Sequence, residues 1–80
     1  RLLDTLGWVQ FRLGNVDDAA ALLERAAVAA PESQVVQYHL GKALLARGEH
    51  DRAKDLLGRA VAGTPDYRGL DDAKASLSGL

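Results

Sequence analysis

Few side chains in this 80-residue chain could take part in catalysis or metal binding. The candidates are Asp4, Ser33, Tyr38, His39, His50, Ser76 and Ser78. His50 lies between Glu49 and Asp51 in a predicted turn, but neighbouring residues on a turn seldom converge on one ion, and no second histidine follows four positions later. A Ser-His-Asp arrangement would have to bring distant residues together. The sequence therefore predicts no catalytic residue, no metal site and no cofactor, and we expect a protein that is not an enzyme.

The composition excludes several other classes of function. Without cysteine, the chain has no disulfide framework, thiol nucleophile or Cys-ligated zinc site. Ten Lys and Arg against eleven Asp and Glu give a net charge of -1, without the basic surplus that drives nucleic-acid binding. No apolar run is long enough to cross a bilayer. We therefore expect no nucleic-acid partner and no direct insertion into a membrane.

The elements that must position these residues are predicted to be helices. Ala and Leu, which lose little side-chain freedom in a helix, are far more frequent than Val and Thr, and Ile is absent. Gly14, Gly48, Pro31 and Pro65 fall between stretches of helical apolar spacing, where a helix has to end or turn. The sequence therefore predicts an all-α fold.

The chain also repeats itself at an offset of 34 residues, with ten identities in the 33 pairs from Arg1/Val35 to Ser33/Tyr67. The most informative identities are Leu6/Leu40, Gly7/Gly41, Ala19/Ala53, Leu23/Leu57, Ala26/Ala60 and Pro31/Pro65. A period in this range is typical of stacked helical units. We predict a first unit at residues 1–33, a second at 34–67 and a single amphipathic capping helix at 68–80, all within one domain.

Each unit is predicted to be a pair of antiparallel helices. Asn15 is the expected N-cap of the second helix, and Ser33 is the expected N-cap of the third. Glycine inside a helix costs about 1 kcal/mol relative to alanine, so its recurrence at Gly7 and Gly41 predicts a compensating close contact between the paired helices. Gly58 has no glycine partner in the other unit and no physical explanation.

These residues resemble the tetratricopeptide repeat family. The matching positions are Leu6-Gly7, Ala19, Leu23, Ala26 and Pro31, and then Leu40-Gly41, Ala53, Leu57, Ala60 and Pro65. The aromatic residue usual three positions after the glycine is replaced by Gln10 and Leu44. The resemblance implies an antiparallel helix-hairpin solenoid with a right-handed superhelix, and a non-catalytic scaffold for protein–protein interaction.

The resemblance also implies that the first helix of each unit lines a concave groove, which would bind a protein or peptide partner. The matching positions are Asp4, Trp8, Phe11 and Arg12 in the first unit and Tyr38, His39, Lys42 and Leu45 in the second. Lys42 is expected to supply the positive charge among the aromatic residues. In the alternative, Trp8 and Phe11 are ordinary core residues, because large aromatic side chains are usually largely buried.

The two ends of the chain differ. The apolar residues Leu2, Leu3, Leu6 and Val9 begin without a predicted helix before them, which predicts self-association of the isolated chain, as a homodimer, or a longer parent protein. The alternative function is accordingly a structural one, an end-cap or self-association element whose groove binds nothing.

The stretch from Leu3 to Trp8 is also similar to the C-terminal end of bacterial repeat proteins linked to exopolysaccharide export. The compartment, bacterial cytoplasm or periplasm, is expected to depend on upstream sequence.

Overall fold

Five helices make up the computed structural model, which describes residues 2–80. They are α1 (Leu2–Arg12), α2 (Val16–Ala29), α3 (Gln34–Ala46), α4 (His50–Ala60) and α5 (Leu70–Ser78). No strand occurs within these residues. The predicted all-α fold is confirmed.

The helices pack in chain order. α1 lies against α2 and α3 against α4, each pair being joined by a short turn, while α2 packs on α3 and α4 packs on α5. α3 also contacts α1 and α5, so the three odd-numbered helices form one side of the stack. This is the predicted succession of two helix hairpins and a final helix. The right-handed superhelix stays a prediction, because two hairpins do not define the sense of a long superhelix, and the unit boundaries at 33/34 and 67/68 stay predictions as well.

Small and branched apolar side chains fill the core in two clusters. The first, between α2, α3 and α4, consists of Ala19, Ala20, Leu23, Leu40, Ala43, Leu44 and Ala53. The second, between α3, α4 and α5, consists of Tyr38, Leu57, Ala60 and Ala73. Six of these eleven residues are alanine, which leaves little side-chain bulk between the helix backbones and allows them to approach closely.

The two helices of each pair approach most closely at the recurring glycine. A Cβ atom at Gly7 would lie 2.6 Å from Cγ of Leu23, and one at Gly41 would lie 2.9 Å from Cγ of Leu57. Both leucines are fully buried and have little room to move. The predicted close contact therefore exists in both units, with a leucine of the second helix as the residue that occupies the space.

The N-cap predictions have different outcomes. Ser33 caps α3 as predicted, since its hydroxyl accepts a hydrogen bond from the backbone amide of Val36 at 3.3 Å. Asn15 holds the predicted N-cap position of α2, but its side chain does not cap the helix. The Asn15 amide instead donates to Oε1 of Gln10 at 2.7 Å, so the residue that replaces the usual aromatic side chain braces the α1–α2 turn.

Two side chains fix the end of α4 and the turn that leads to α5. The Gln34 amide donates to the backbone carbonyls of Arg59 and Ala62, at 3.0 and 2.9 Å. The Tyr67 hydroxyl donates to the carbonyl of Ala60 at 2.7 Å. Carbonyl groups that the helix end leaves without an intrahelical partner are thus satisfied by side chains.

Substitution of the helix glycines should separate close contact from helix propensity. We expect Gly7→Leu and Gly41→Leu to lower the free energy of unfolding by about 1–3 kcal/mol through overpacking against Leu23 and Leu57. Gly58→Ala should raise it by up to about 1 kcal/mol, because no atom lies near the added methyl group and alanine favours the helix. Urea unfolding followed by circular dichroism measures all three, and equal losses would contradict the assigned contacts.

Candidate functional site

An aromatic stack lies where α1 faces α3. The Trp8 ring is nearly parallel to the rings of His39 and Phe11, with centroid distances of 4.1 and 4.9 Å. Tyr38 lies beside it at 5.4 Å and in turn contacts Tyr67 at 5.9 Å. Trp8 and Phe11 are half-buried, whereas Tyr38 and His39 are buried. The aromatic residues of α1 and α3 therefore form one continuous surface.

A close polar contact joins α1 to α3 next to this stack. Nδ1 of His39 lies 2.6 Å from Oδ1 of Asp4, and the side chains of both residues are largely buried. A hydrogen bond of this kind fixes the orientation of the imidazole, which keeps its ring flat against Trp8. Asp4 and His39, two of the predicted groove residues, are thus brought together as a pair.

A second set of polar contacts joins α3 to α5. The Tyr38 hydroxyl donates to Oδ2 of Asp72 at 2.7 Å, and Nζ of Lys42 donates to the Ser76 hydroxyl at 2.9 Å. Lys42 also forms an ion pair with Asp72, at 3.3 Å. α5 is therefore held by residues of α3 and packs directly beside them.

Gly69 allows this packing. It has a φ of +101°, which L side chains rarely adopt, and it precedes the first turn of α5. A Cβ atom at this position would lie 2.5 Å from Cε2 of Tyr38. Both the backbone conformation and the approach to the tyrosine ring therefore require glycine here.

The aromatic surface opens into a cleft of about 600 Å³. Its lining residues are Trp8, Arg12, Val35, Tyr38, His39, Arg68 and Gly69. They come from α1, from α3 and from the turn before α5. The volume is within the range of about 300–1,000 Å³ that is typical of ligand sites, and the mixture of aromatic and a few polar groups is typical of them as well.

The predicted groove residues do not all reach this cleft. Trp8, Arg12, Tyr38 and His39 line it, whereas Asp4 is paired behind His39. Phe11 stacks on Trp8 and packs against the first core cluster, as does Leu45. Lys42 is engaged by Asp72 and Ser76 of α5, so the positive side chains at the cleft are those of Arg12 and Arg68 rather than Lys42.

Sequence reasoning missed Val35, Arg68 and Gly69 as lining residues. One signal for the position of α5 was present in the repeat: Asp72 and Ser76 lie 34 residues after Tyr38 and Lys42, the residues they contact. Continued use of the 34-residue offset would have set α5 beside α3, and with it the turn that carries Arg68. Nothing in the sequence pattern singles out Val35.

Hydrogen bonding and charge shift two pKa values at this site. Burial, followed by the hydrogen bond to Asp72, raises the pKa of Tyr38 well above its usual range, and Arg12 acts in the opposite direction through its charge. The hydrogen bond from Tyr38 is the main cause that lowers the pKa of Asp72, with further lowering by Lys42 against the opposing effect of burial. Tyr38 therefore stays a neutral donor at ordinary pH, and Asp72 stays an ionised acceptor.

Comparison with known proteins decides the family. The model of the tetratricopeptide repeat matches residues 10–77, which is most of the chain. The chain belongs to the tetratricopeptide repeat family. Membership suggests a protein–protein interaction module, and repeats of this family are generally non-catalytic scaffolds. No curated protein and no solved structure gave a significant match.

Two further observations bear on this tetratricopeptide repeat chain. None of the helices described for residues 2–80 has the length and apolar character needed to span a membrane. Within the same residues, no three His, Asp or Glu side chains come together in a way that could hold a metal ion. The family match extends to the repeat alone, and the link to exopolysaccharide export stays a prediction.

The Asp72 contacts predict a specific pH dependence. Because the pKa of Asp72 is lower in the folded chain than the unfolded value of about 3.9, its stabilising effect is complete well above about pH 4 and is lost as the pH falls through the lower pKa of the folded chain. Its side chain is 49% exposed, so the effect should not exceed about 1 kcal/mol. We expect the free energy of unfolding of Asp72→Asn to fall less steeply with acid than that of the unmodified chain.

Urea unfolding at a series of pH values, followed by circular dichroism, tests this expectation. The pKa of Glu24 is also lowered, chiefly by its hydrogen bond from Arg52, but that pair is present in both proteins. The difference between the two curves therefore isolates Asp72. Parallel curves across the acid range would contradict the stabilising role of the α3–α5 contacts.

Proposed function

We propose that this chain is an interaction module that binds a peptide segment of a protein partner in the cleft between α1, α3 and the turn before α5. The observation that carries the proposal is the aromatic lining of that cleft, with Trp8 half-buried and stacked on His39. Rigid aromatic rings in a recess offer a large contact area at little entropic cost, and such residues dominate binding energy at many interfaces. Family membership supports a protein as the partner.

The surrounding contacts support a preformed site. His39 is fixed by Asp4, and Tyr38 is fixed by Asp72, so two of the lining rings are held in place without a ligand. A site whose side chains are already ordered loses less conformational entropy when it binds. The cleft therefore needs no rearrangement of α3 to accept a segment.

Filling the cleft tests the proposal. Labelled protein is applied to an array of random seven-residue peptides, and the bound peptides are compared with those bound by Val35→Trp, which adds bulk to the lining. Val28→Trp is the matched control, because Val28 is 84% exposed on α2 and does not line the cleft. We expect Val35→Trp to lose most of the binding and Val28→Trp to retain it.

Circular dichroism of both variants confirms that each still folds. If a folded Val35→Trp protein binds the same peptides as the unmodified chain, the cleft is not the binding surface. Equal loss by Val35→Trp and Val28→Trp would exclude the cleft as well.

Self-association is the second candidate function, and a stripe on α1 supports it. Leu2, Leu6 and Val9 are 70%, 43% and 47% exposed. The positions 34 residues later are Val36, Leu40 and Ala43, and all three are buried. Of these, Leu40 and Ala43 belong to the core cluster that α3 forms with α2 and α4. The repeat therefore predicts that the α1 stripe, with the half-buried Leu3 beside it, is also a packing surface, and a second copy of the chain would cover it.

Removal of this apolar stripe tests self-association. We expect the average mass from light scattering to rise with protein concentration, and Leu6→Glu to suppress the rise because it places a charge in the buried contact. Val28→Glu introduces the same charge at an exposed apolar residue outside the stripe and should leave the mass curve unchanged. A mass that stays monomeric at every concentration, or a rise that Leu6→Glu does not alter, would contradict the dimer.

A further inference from the structure

The unpaired arginines of the cleft indicate what kind of segment it accepts. We propose that the occupant is an acidic peptide segment whose carboxylates bind Arg12 and Arg68, while an apolar side chain of the same segment contacts the aromatic lining. This inference rests on the proposed function, because it names the chemistry of the segment that the cleft would bind.

The first argument comes from the pairing of arginines within residues 2–80. Three of them have carboxylate partners: Arg47 pairs with Asp17 and Glu49, Arg52 with Glu24, and Arg59 with Asp55. Among these described residues, Arg12, Arg25 and Arg68 form no ion pair. Two of the three unpaired guanidinium groups line the cleft, and the third lies on α2, away from it.

The second argument is that the acidic groups nearest the aromatic lining already have partners. Asp4 is hydrogen-bonded to His39. Asp72 accepts a hydrogen bond from Tyr38 and forms an ion pair with Lys42. Asp66 and Asp71 flank Arg68 in sequence, yet neither forms an ion pair with it. The Arg, Lys, Asp and Glu side chains that line the cleft are therefore those of Arg12 and Arg68, although the net charge of the whole chain is -1.

The third argument concerns the elements that carry the two arginines. Arg12 is the last residue of α1, and Arg68 belongs to the turn that Gly69 closes against Tyr38. Separate elements thus bring two planar donor groups to one recess. Guanidinium groups bind carboxylates through paired, charge-assisted hydrogen bonds, which makes an acidic side chain the matching ligand. The rings of Trp8 and Tyr38 add a surface for one apolar residue between the acidic ones.

The peptide array also tests this inference when its peptides are sorted by net charge. We expect the unmodified chain to favour peptides with two or more Asp or Glu and one aromatic or aliphatic residue. Their Kd values, measured in solution by fluorescence anisotropy, should rise about threefold to tenfold in Arg12→Gln and in Arg68→Gln. Arg25→Gln removes the same charge from an unpaired arginine outside the cleft and should leave Kd unchanged.

The ionic nature of the contact adds a second measurement. Raising the salt concentration should weaken the binding of acidic peptides to the unmodified chain, because salt screens charge interactions. The decrease in affinity should be smaller for the double variant Arg12→Gln/Arg68→Gln. Isosteric peptides with Gln and Asn in place of Glu and Asp should bind more weakly than the acidic peptides to the unmodified chain, and about as well as them to the double variant.

The possible results separate this inference from the proposed function. If bound peptides show no preference for acidic residues but are lost in Val35→Trp, the cleft binds peptides and the acidic occupant is wrong. Equal weakening by Arg25→Gln would also overturn the inference, because it would show a general charge effect. An oligothymidylate that displaces the peptides and binds more tightly would overturn it in favour of nucleic acid. If Val35→Trp loses no peptide at all, the proposed function itself fails.

Discussion

The close approach of the two helices in each pair sets the geometry of this molecule. Gly7 lies against Leu23 and Gly41 against Leu57, with no room for a Cβ atom between them. Since both leucines are fully buried, the distance between the paired helices is fixed by backbone and leucine together. The aromatic residues of α1 and α3 lie beside these contacts, since Phe11 packs against the core cluster that contains Leu23 and Tyr38 belongs to the cluster that contains Leu57. Their relative position, and with it the shape of the cleft, therefore depends on the distance between the paired helices.

Tyr38 connects this packing to the cleft. It is buried among Leu57, Ala60 and Ala73 of the second core cluster, yet its ring also lines the recess and its hydroxyl binds Asp72 of α5. The same residue thus stabilises the fold, anchors the final helix and forms part of the candidate binding surface. A change at Tyr38 would therefore alter the stability of the fold together with the shape of the candidate surface. Val35, Arg12 and Arg68 also line the cleft but belong to neither core cluster.

Much of the fold could be predicted from the sequence because it depends on local and periodic signals. The 34-residue offset, the helical spacing of Leu and Ala, and the position of Ser33 each act within one or two helical turns or recur in both units. The recurrence of glycine at 7 and 41 was enough to predict a close contact. Asn15 shows the limit of this reasoning: its position at the helix start was correct, but Gln10, across the turn, provides its side chain with a better partner.

The site was less predictable, because contacts between distant residues determine which charged side chains face the cleft without a partner. Lys42 has the residue type and helix position expected of a groove residue. Its ion pair with Asp72 and its hydrogen bond to Ser76 depend on the packing of α5, which the sequence pattern does not show. Arg68 lies in a turn without periodicity, so no helical pattern could assign it to a face. Leu45 shares a helix face with Tyr38 and Lys42 by spacing, yet it packs against the first core cluster. Helix spacing predicts which residues are neighbours on one helix, but not which helix covers them.

The contacts between the odd-numbered helices also have a mechanical consequence. Asp4 binds His39 across 35 residues, and Tyr38 binds Asp72 across 34, so successive odd-numbered helices are connected to each other by side chains. On the other side of the stack, Arg52 of α4 donates two hydrogen bonds to the carboxylate of Glu24 on α2, at 2.7 and 3.0 Å. Bending the stack in either direction would stretch one of these sets of contacts. The two hairpins are therefore braced on both sides of the stack, on one side by the largely buried pair of Asp4 and His39 and on the other by the exposed pair of Arg52 and Glu24.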